Sequence, residues 1–118
     1  MQYLLLIYIN EDAWAEGEQE QCYVDSAQIA QDLAAAGQYI HCAPLHPVST
    51  ATSVRVRDGK RVVTDGPFAE TREQLGGYFL IDAPNLDDAI NVAARIPGAA
   101  KGTVEIRPVL AVGGIPGQ

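Results

Sequence analysis

The chain opens on a run without alternation: Tyr3, Leu4, Leu5, Leu6, Ile7, Tyr8 and Ile9 follow one another. Aromatic and β-branched residues favour a strand here, and a strand lacking period-two alternation is expected to be buried on both faces. Asn10-Glu11-Asp12 closes it, and Trp14 falls in the loop beyond. From about Glu18 to Ala36 the period changes. Cys22, Ile29, Leu33 and Ala36, with Ser26 between, recur at three- and four-residue steps and predict an amphipathic helix. Glu16, Glu18 and Glu20 gather where the helix dipole favours negative charge, and Gly37 suits a left-handed C-cap. A second strand is expected between Gln38 and His46, limited by Pro44 and Pro47.

After the small polar stretch 49–53, Val54-Arg55-Val56-Arg57 and Lys60-Arg61-Val62-Val63 flank Asp58-Gly59. An Asp-Gly loop predicts a type I′ hairpin in which Arg57 opposes Lys60, Val56 Arg61, Arg55 Val62, and Val54 Val63. One face then carries three valines, and four of the chain's eight cations stand on the ribbon. Residues 65–77 follow, where Glu70 and Glu73, three apart, fall on one face if this piece is helical, with Arg72 beside them. Tyr78–Asp82 reads as another strand. Asn85 is an N-cap for a helix with a buried stripe of Leu86, Ala89, Ile90, Ala93 and Ile96, ended by Pro97-Gly98. Thr103–Val109 is a last strand with Val104 and Ile106 inward, and residues 113–118 form a glycine-rich tail expected to be flexible.

This order, two β-α-β units around a central hairpin, predicts an α+β, ferredoxin-like sandwich: an antiparallel sheet with two helices on one face. Two helices cover one face only, while the strands at 2–9 and 78–82 are apolar on both. A second copy packed sheet to sheet supplies the missing cover, so a homodimer is expected.

Length and charge narrow the classes. At 118 residues the chain is one domain, long enough to bury a core without metals or disulfides. Net charge is −7, and residues 1–54 hold seven acids and no Lys or Arg. An acidic half repels phosphate backbones, so nucleic acid is not an expected partner. The first strand lacks the basic start of a secretory signal and is too short to span a bilayer. Two cysteines without CxxC spacing make no disulfide framework, and a cytoplasmic protein with no membrane partner is the expectation.

The densest chemistry lies in Asp65-Gly66-Pro67-Phe68-Ala69-Glu70-Thr71-Arg72-Glu73-Gln74-Leu75-Gly76-Gly77-Tyr78. Asp65 either caps its own turn or serves as a carboxylate at a cleft mouth. His46, next to Pro47, carries an imidazole, the side-chain type suited to proton transfer near neutrality, and is a candidate partner for Asp65, with Glu73 as a further candidate acid or base. Tyr8, Phe68 and Tyr78 are candidate walls, and Arg107 a candidate ligand-holding cation. His41 and His46, five apart, lack a neighbouring ligand at metal spacing, so neither metal nor cofactor is expected. No phosphate loop, dinucleotide fingerprint or nucleophile elbow is present. The alternative to an enzyme is a non-catalytic module that binds a ligand or a regulatory protein through the basic hairpin.

The runs Val54-Arg55-Val56-Arg57-Asp58-Gly59-Lys60, Thr64-Asp65-Gly66-Pro67-Phe68-Ala69-Glu70-Thr71 and Glu73-Gln74-Leu75-Gly76-Gly77-Tyr78 closely resemble the YCII-related, or DGPF-domain, family. Leu4–Tyr8 with Trp14, Ala83–Ile90 and Val104–Val109 extend the resemblance over residues 1–112. It implies a dimeric α+β barrel. The wider superfamily it points to includes a dehydrochlorinase acting on a chlorinated hydroxyquinol, lactone isomerases and cofactor-free monooxygenases, and some shorter members use a His–Asp pair. It also implies a link to extracytoplasmic-function sigma-factor pathways. The sequence departs from that pattern in a short, acidic segment between Trp14 and Gly37 and in the paired histidines 41 and 46.

Overall fold

A computed structural model describes residues 1–117. Strand β1 (Gln2–Ile9) lies inside a four-stranded antiparallel sheet, flanked by β5 (Gln74–Asp82) and β6 (Thr103–Pro108), with β2 (Tyr39–Pro44) on the far side of β5. Helix α1 (Glu18–Ala35) connects β1 to β2, and α2 (Leu86–Arg95) with a single-turn α3 (Gly98–Lys101) connects β5 to β6. These are the two interleaved β-α-β units, and the α+β class read from the sequence holds. Single turns of 3-10 helix sit at Glu11–Ala13 and Val48–Thr50.

The core forms between the helices and one face of the sheet. Tyr3, Leu5 and Ile7 of β1 alternate inward and meet Phe79 and Ile81 of β5, Ile29 and Leu33 of α1, and Ala89, Val92, Ala93 and Ile96 of the α2 region. Leu5, Leu33, Ile81 and Ile96 are fully buried, each burial stabilising by about 1.5–3 kcal/mol. The other face of β1 is only half-buried at Leu4, Leu6 and Tyr8. The expected burial on both faces is therefore met on one face by this chain alone. Helix α3 does not change that: a Cβ built on Gly98 lies 2.6 Å from the inward Ile7 Cγ2, so α3 belongs to the helix layer.

Helix ends follow their chemistry. Gly37, at φ 74°, closes α1 with the Gly37 N–H on Ala34 and the Gln38 N–H on Leu33 at 2.8 Å, the paired bonds of a Schellman cap. Asn85 caps α2 through its side chain, which accepts from the Asp88 N–H at 2.9 Å, a bond of the kind worth about 1 kcal/mol. Lys101 pairs with Glu18, and that hydrogen bond holds the Glu18 carboxyl below its ordinary range.

Three local expectations are corrected. Leu86 and Ile90 are 49% and 46% exposed, and Val92 takes their place in the buried stripe, so α2 is rotated about its axis from the reading above. Ala36 is exposed, because it forms the cap of α1 rather than its last inward turn. Residues 70–73 are not helical; β5 begins at Gln74, four residues before the expected Tyr78. The tail from 111 to 117 is exposed and turn-rich, while Gln118, the last residue of the segment expected to be flexible, lies outside the described residues.

Strands β3 (Thr52–Arg57) and β4 (Lys60–Asp65) form a separate two-stranded sheet. Their register is the one the Asp-Gly loop predicts, and Asp58 and Gly59 both take positive φ, 53° and 73°. The ribbon stands away from the body. The radius of gyration is 16.0 Å, against about 13–14 Å for a compact chain of this length.

Candidate functional site

The uncovered sheet face is built from alternate residues of four strands. Leu4, Leu6 and Tyr8 of β1 face the same way as Tyr78 and Leu80 of β5, as the register pairs Leu4 with Leu80 and Leu6 with Tyr78. Glu105 and Arg107 of β6 flank Leu6 and Leu4 on one side. His41 of β2 flanks Leu80 on the other. The face is thus an apolar strip with polar edges. At one end the ladder shifts register between Ile7 and Tyr8, leaving Gly76 as the extra residue on β5.

That irregular end opens into a cleft of about 580 Å³. Tyr8, Gln74 and Leu75 supply the sheet side, His46 and Pro47 a second wall, and Pro67, Phe68 and Thr71 a third. Phe68 is 81% exposed, a large apolar ring held at the surface. The Tyr8 hydroxyl donates to Glu105 Oε1 at 3.2 Å. Burial, and then that carboxylate, push its phenol above the ordinary range, with Arg107 pulling the other way.

The sequence-predicted residues separate into groups. Tyr8, His46 and Phe68 come together in the cleft. Tyr78 lines a different cavity, on the other side of the wall formed by residues 45–47, and His46 lines both. Asp65 ends β4 opposite Thr52, is exposed and lines neither cavity. Among the described residues its carboxylate makes no hydrogen bond or ion pair with His46. The turn after it is held instead by the Ser53 hydroxyl donating to the Gly66 carbonyl at 2.8 Å and by the Gly66 N–H on Ala51. Glu73 lines neither cavity; its carboxylate accepts from the Thr103 hydroxyl at 2.9 Å. No ion pair joins Glu70, Arg72 and Glu73 among the described residues. Arg107 is exposed on the open face, away from both cavities.

One pairing escapes any reading of the sequence. The Tyr78 hydroxyl and His41 Nδ1 lie 2.8 Å apart, and the two rings stack with centroids separated by 5.7 Å. The contact exists because β2 pairs with β5 through an irregular register between Tyr39 and His41, which no local pattern announces. Among the described residues no cluster of three or more His, Cys, Asp or Glu is arranged for a metal, and no helix is long and apolar enough to cross a membrane.

The profile of the YCII-related domain matches residues 1–112. An uncharacterized protein of Rhizobium meliloti (strain 1021) is 37% identical over 114 residues, which covers 92% of each chain.

Proposed function

This chain belongs to the YCII-related family, and from that premise we propose that it is a cytoplasmic homodimer that binds a small molecule in the cleft between Tyr8, His46 and Phe68. The observation that carries the reading is continuity: the apolar strip of Leu4, Leu6 and Leu80 runs into the cleft beside Tyr8. A second copy that covers the strip also roofs the cleft, and a roofed cavity with few polar groups is what small ligands occupy. Its acid–base form assigns proton transfer to His46, with Asp65 or Glu73 as the orienting carboxylate, and Tyr78 and Arg107 as ligand contacts. That is chemistry of the isomerase or dehydrohalogenase type, which needs no cofactor. The carboxylates lie outside the cleft of the single chain, so binding is the better supported half of the proposal.

A thermal-shift panel of aromatic acids, lactones and chlorinated phenols tests it. At about a hundred times its dissociation constant a ligand adds about 2.7 kcal/mol of stability, several degrees in Tm. A hit is expected in the parent protein and lost in Phe68→Ala. A panel without a hit, or hits indifferent to Phe68, sinks the reading.

One observation favours a second reading, a regulatory module. Arg55, Arg57, Lys60 and Arg61 are exposed on the hairpin, and none forms an ion pair among the described residues. Four unneutralised cations on a projecting ribbon are suited to an acidic protein partner, such as one in a sigma-factor pathway. Reversing Arg55 and Arg57 to Glu is expected to weaken retention on an acidic partner by about tenfold or more at low salt. Unchanged retention removes this reading.

A further inference from the structure

A second cavity, of about 330 Å³, lies on the helix side of the sheet, beneath the first half of α1. Its roof is the inward face of that helix, where Cys22 and Ser26 are half-buried. The helix packs tightly only further on, at Ile29 and Leu33. Ile7 and Ile9 of β1 and Phe79 of β5 form the floor, and Trp14 and Tyr23 stand at the side.

The charge of the walls is distinctive. No Lys or Arg lines the cavity, while Glu11 does. Glu11 is fixed in place, since its two carboxylate oxygens accept from the Val48 N–H at 3.1 and 3.2 Å. Both thiols in the chain line the same space. Burial pushes the Cys22 thiol up, which favours its neutral form, and the Tyr39 hydroxyl donates to Cys42 Sγ at 3.6 Å. The surrounding half of the sequence adds six further acids and no Lys or Arg. His46 is the one lining side chain that can take up a positive charge; apart from it, an anion entering here meets a carboxylate and finds no Lys or Arg to offset the loss of its hydration. A flat apolar ring finds aromatic and aliphatic contacts on three sides.

We propose that this cavity is a second small-molecule site, separate from the cleft on the open face, that accepts uncharged or cationic aromatic compounds of one or two rings and rejects carboxylates. The volume sits near the lower end of that of ligand pockets, which run from about 300 to 1,000 Å³. The site is roofed by α1 and shares only the wall of Leu45, His46, Pro47 and Leu75 with the open-face cleft.

A charge series of one shape tests the proposal: 2-naphthalenemethanol, 2-naphthylmethylamine and 2-naphthoate, titrated calorimetrically into the full-length protein. The alcohol and the amine are expected to bind with affinities within about tenfold of each other, and the acid at least about tenfold more weakly than either. The bound alcohol should slow alkylation of both Cys22 and Cys42, read separately by peptide mass. Cys22→Phe and Ser26→Leu fill the cavity from α1 and should each weaken binding by about tenfold or more, with Phe68→Ala in the open-face cleft leaving it unchanged. The second filling variant keeps the test intact if the first fails to fold. Equal or tighter binding of the acid, unprotected thiols, insensitivity to both filling variants, or no binding of any compound up to about 10 mM each overturns the site. Loss of binding in Phe68→Ala alone assigns the ligand to the open-face cleft instead.

Discussion

Leu6→Glu is expected to leave the chain folded and to turn a dimer into a monomer. Leu6 sits in the middle of the open face, opposite Tyr78 on one side and Glu105 on the other, and is half-buried in the single chain. In a monomer its carboxylate still reaches water, and the cost is limited to lost apolar contact and repulsion from Glu105, each on the order of 1 kcal/mol or less. In a sheet-to-sheet dimer the same carboxylate is removed from water directly beside Glu105, while Arg107 of this face stands opposite Leu4 rather than Leu6. An uncompensated buried charge costs about 3–5 kcal/mol, which raises the dissociation constant by a hundredfold or more, at about 1.4 kcal/mol for each factor of ten. Light scattering across a concentration series reads the mass, and far-UV circular dichroism confirms the fold. Leu6→Met, which keeps the apolar volume, should stay dimeric. A monomeric parent at micromolar concentration, or a Leu6→Glu variant that remains dimeric, removes the dimer and with it the roofed cleft.

Much of the fold was legible because local chemistry determined it. The hairpin register followed from a two-residue loop: Asp58 and Gly59 must both adopt positive φ, and once they do every cross-strand pair is set. The ends of α1 and α2 followed from Gly37 and Asn85 for the same kind of reason. The face of α2 did not. In its ten residues the apolar side chains cover more than one stripe, and the choice between Leu86 with Ile90 and Val92 with Ala93 is made by the sheet it packs on.

The candidate site was legible in part. Tyr8, His46 and Phe68 meet although 60 residues separate the first from the last, because the irregular end of β1 and β5 faces the loops that flank the hairpin. At Gly77 the two backbones approach closely, since a Cβ there would lie 3.0 Å from the Ala43 carbonyl oxygen. The His41–Tyr78 contact and the thiol-lined cavity were not legible. Both depend on how β2 registers against β5 and on where α1 lifts from the sheet. Those are tertiary choices without a local signature. The helical reading of residues 70–73 failed for a related reason: the ladder to Ile9 draws Gln74 into β5 and leaves the residues before it in an irregular segment that bends at Arg72 and Glu73.

Gly102 is the position where one added methyl group should do the most damage. It links α3 to β6, with its N–H on the Gly98 carbonyl at 2.8 Å, and it precedes Thr103, the residue that pairs with Tyr8. A Cβ built there collides with the Tyr8 carbonyl oxygen and crowds the Ile9 Cα at 3.2 Å. Backbone atoms inside a sheet cannot rotate aside as a side chain can. Alanine must therefore push the start of β6 away from β1, breaking the Tyr8–Thr103 pairing and tilting the ring that lines the cleft. The expected loss is about 3 kcal/mol, the upper end of what overpacking commonly costs, or a Tm lowered by about 10 °C or more. Gly98→Ala is the graded comparison. Its Cβ meets only Ile7 Cγ2, at 2.6 Å, and a side chain can yield, so about 1 kcal/mol is expected. Gly113→Ala, with nothing within 4 Å and no positive φ, should be silent. Thermal melts of the three variants rank them as 102, 98 and 113 in order of damage. If Gly102→Ala melts within about 2 °C of the parent, the tight approach of β6 to Tyr8 is not what holds this end of the sheet together.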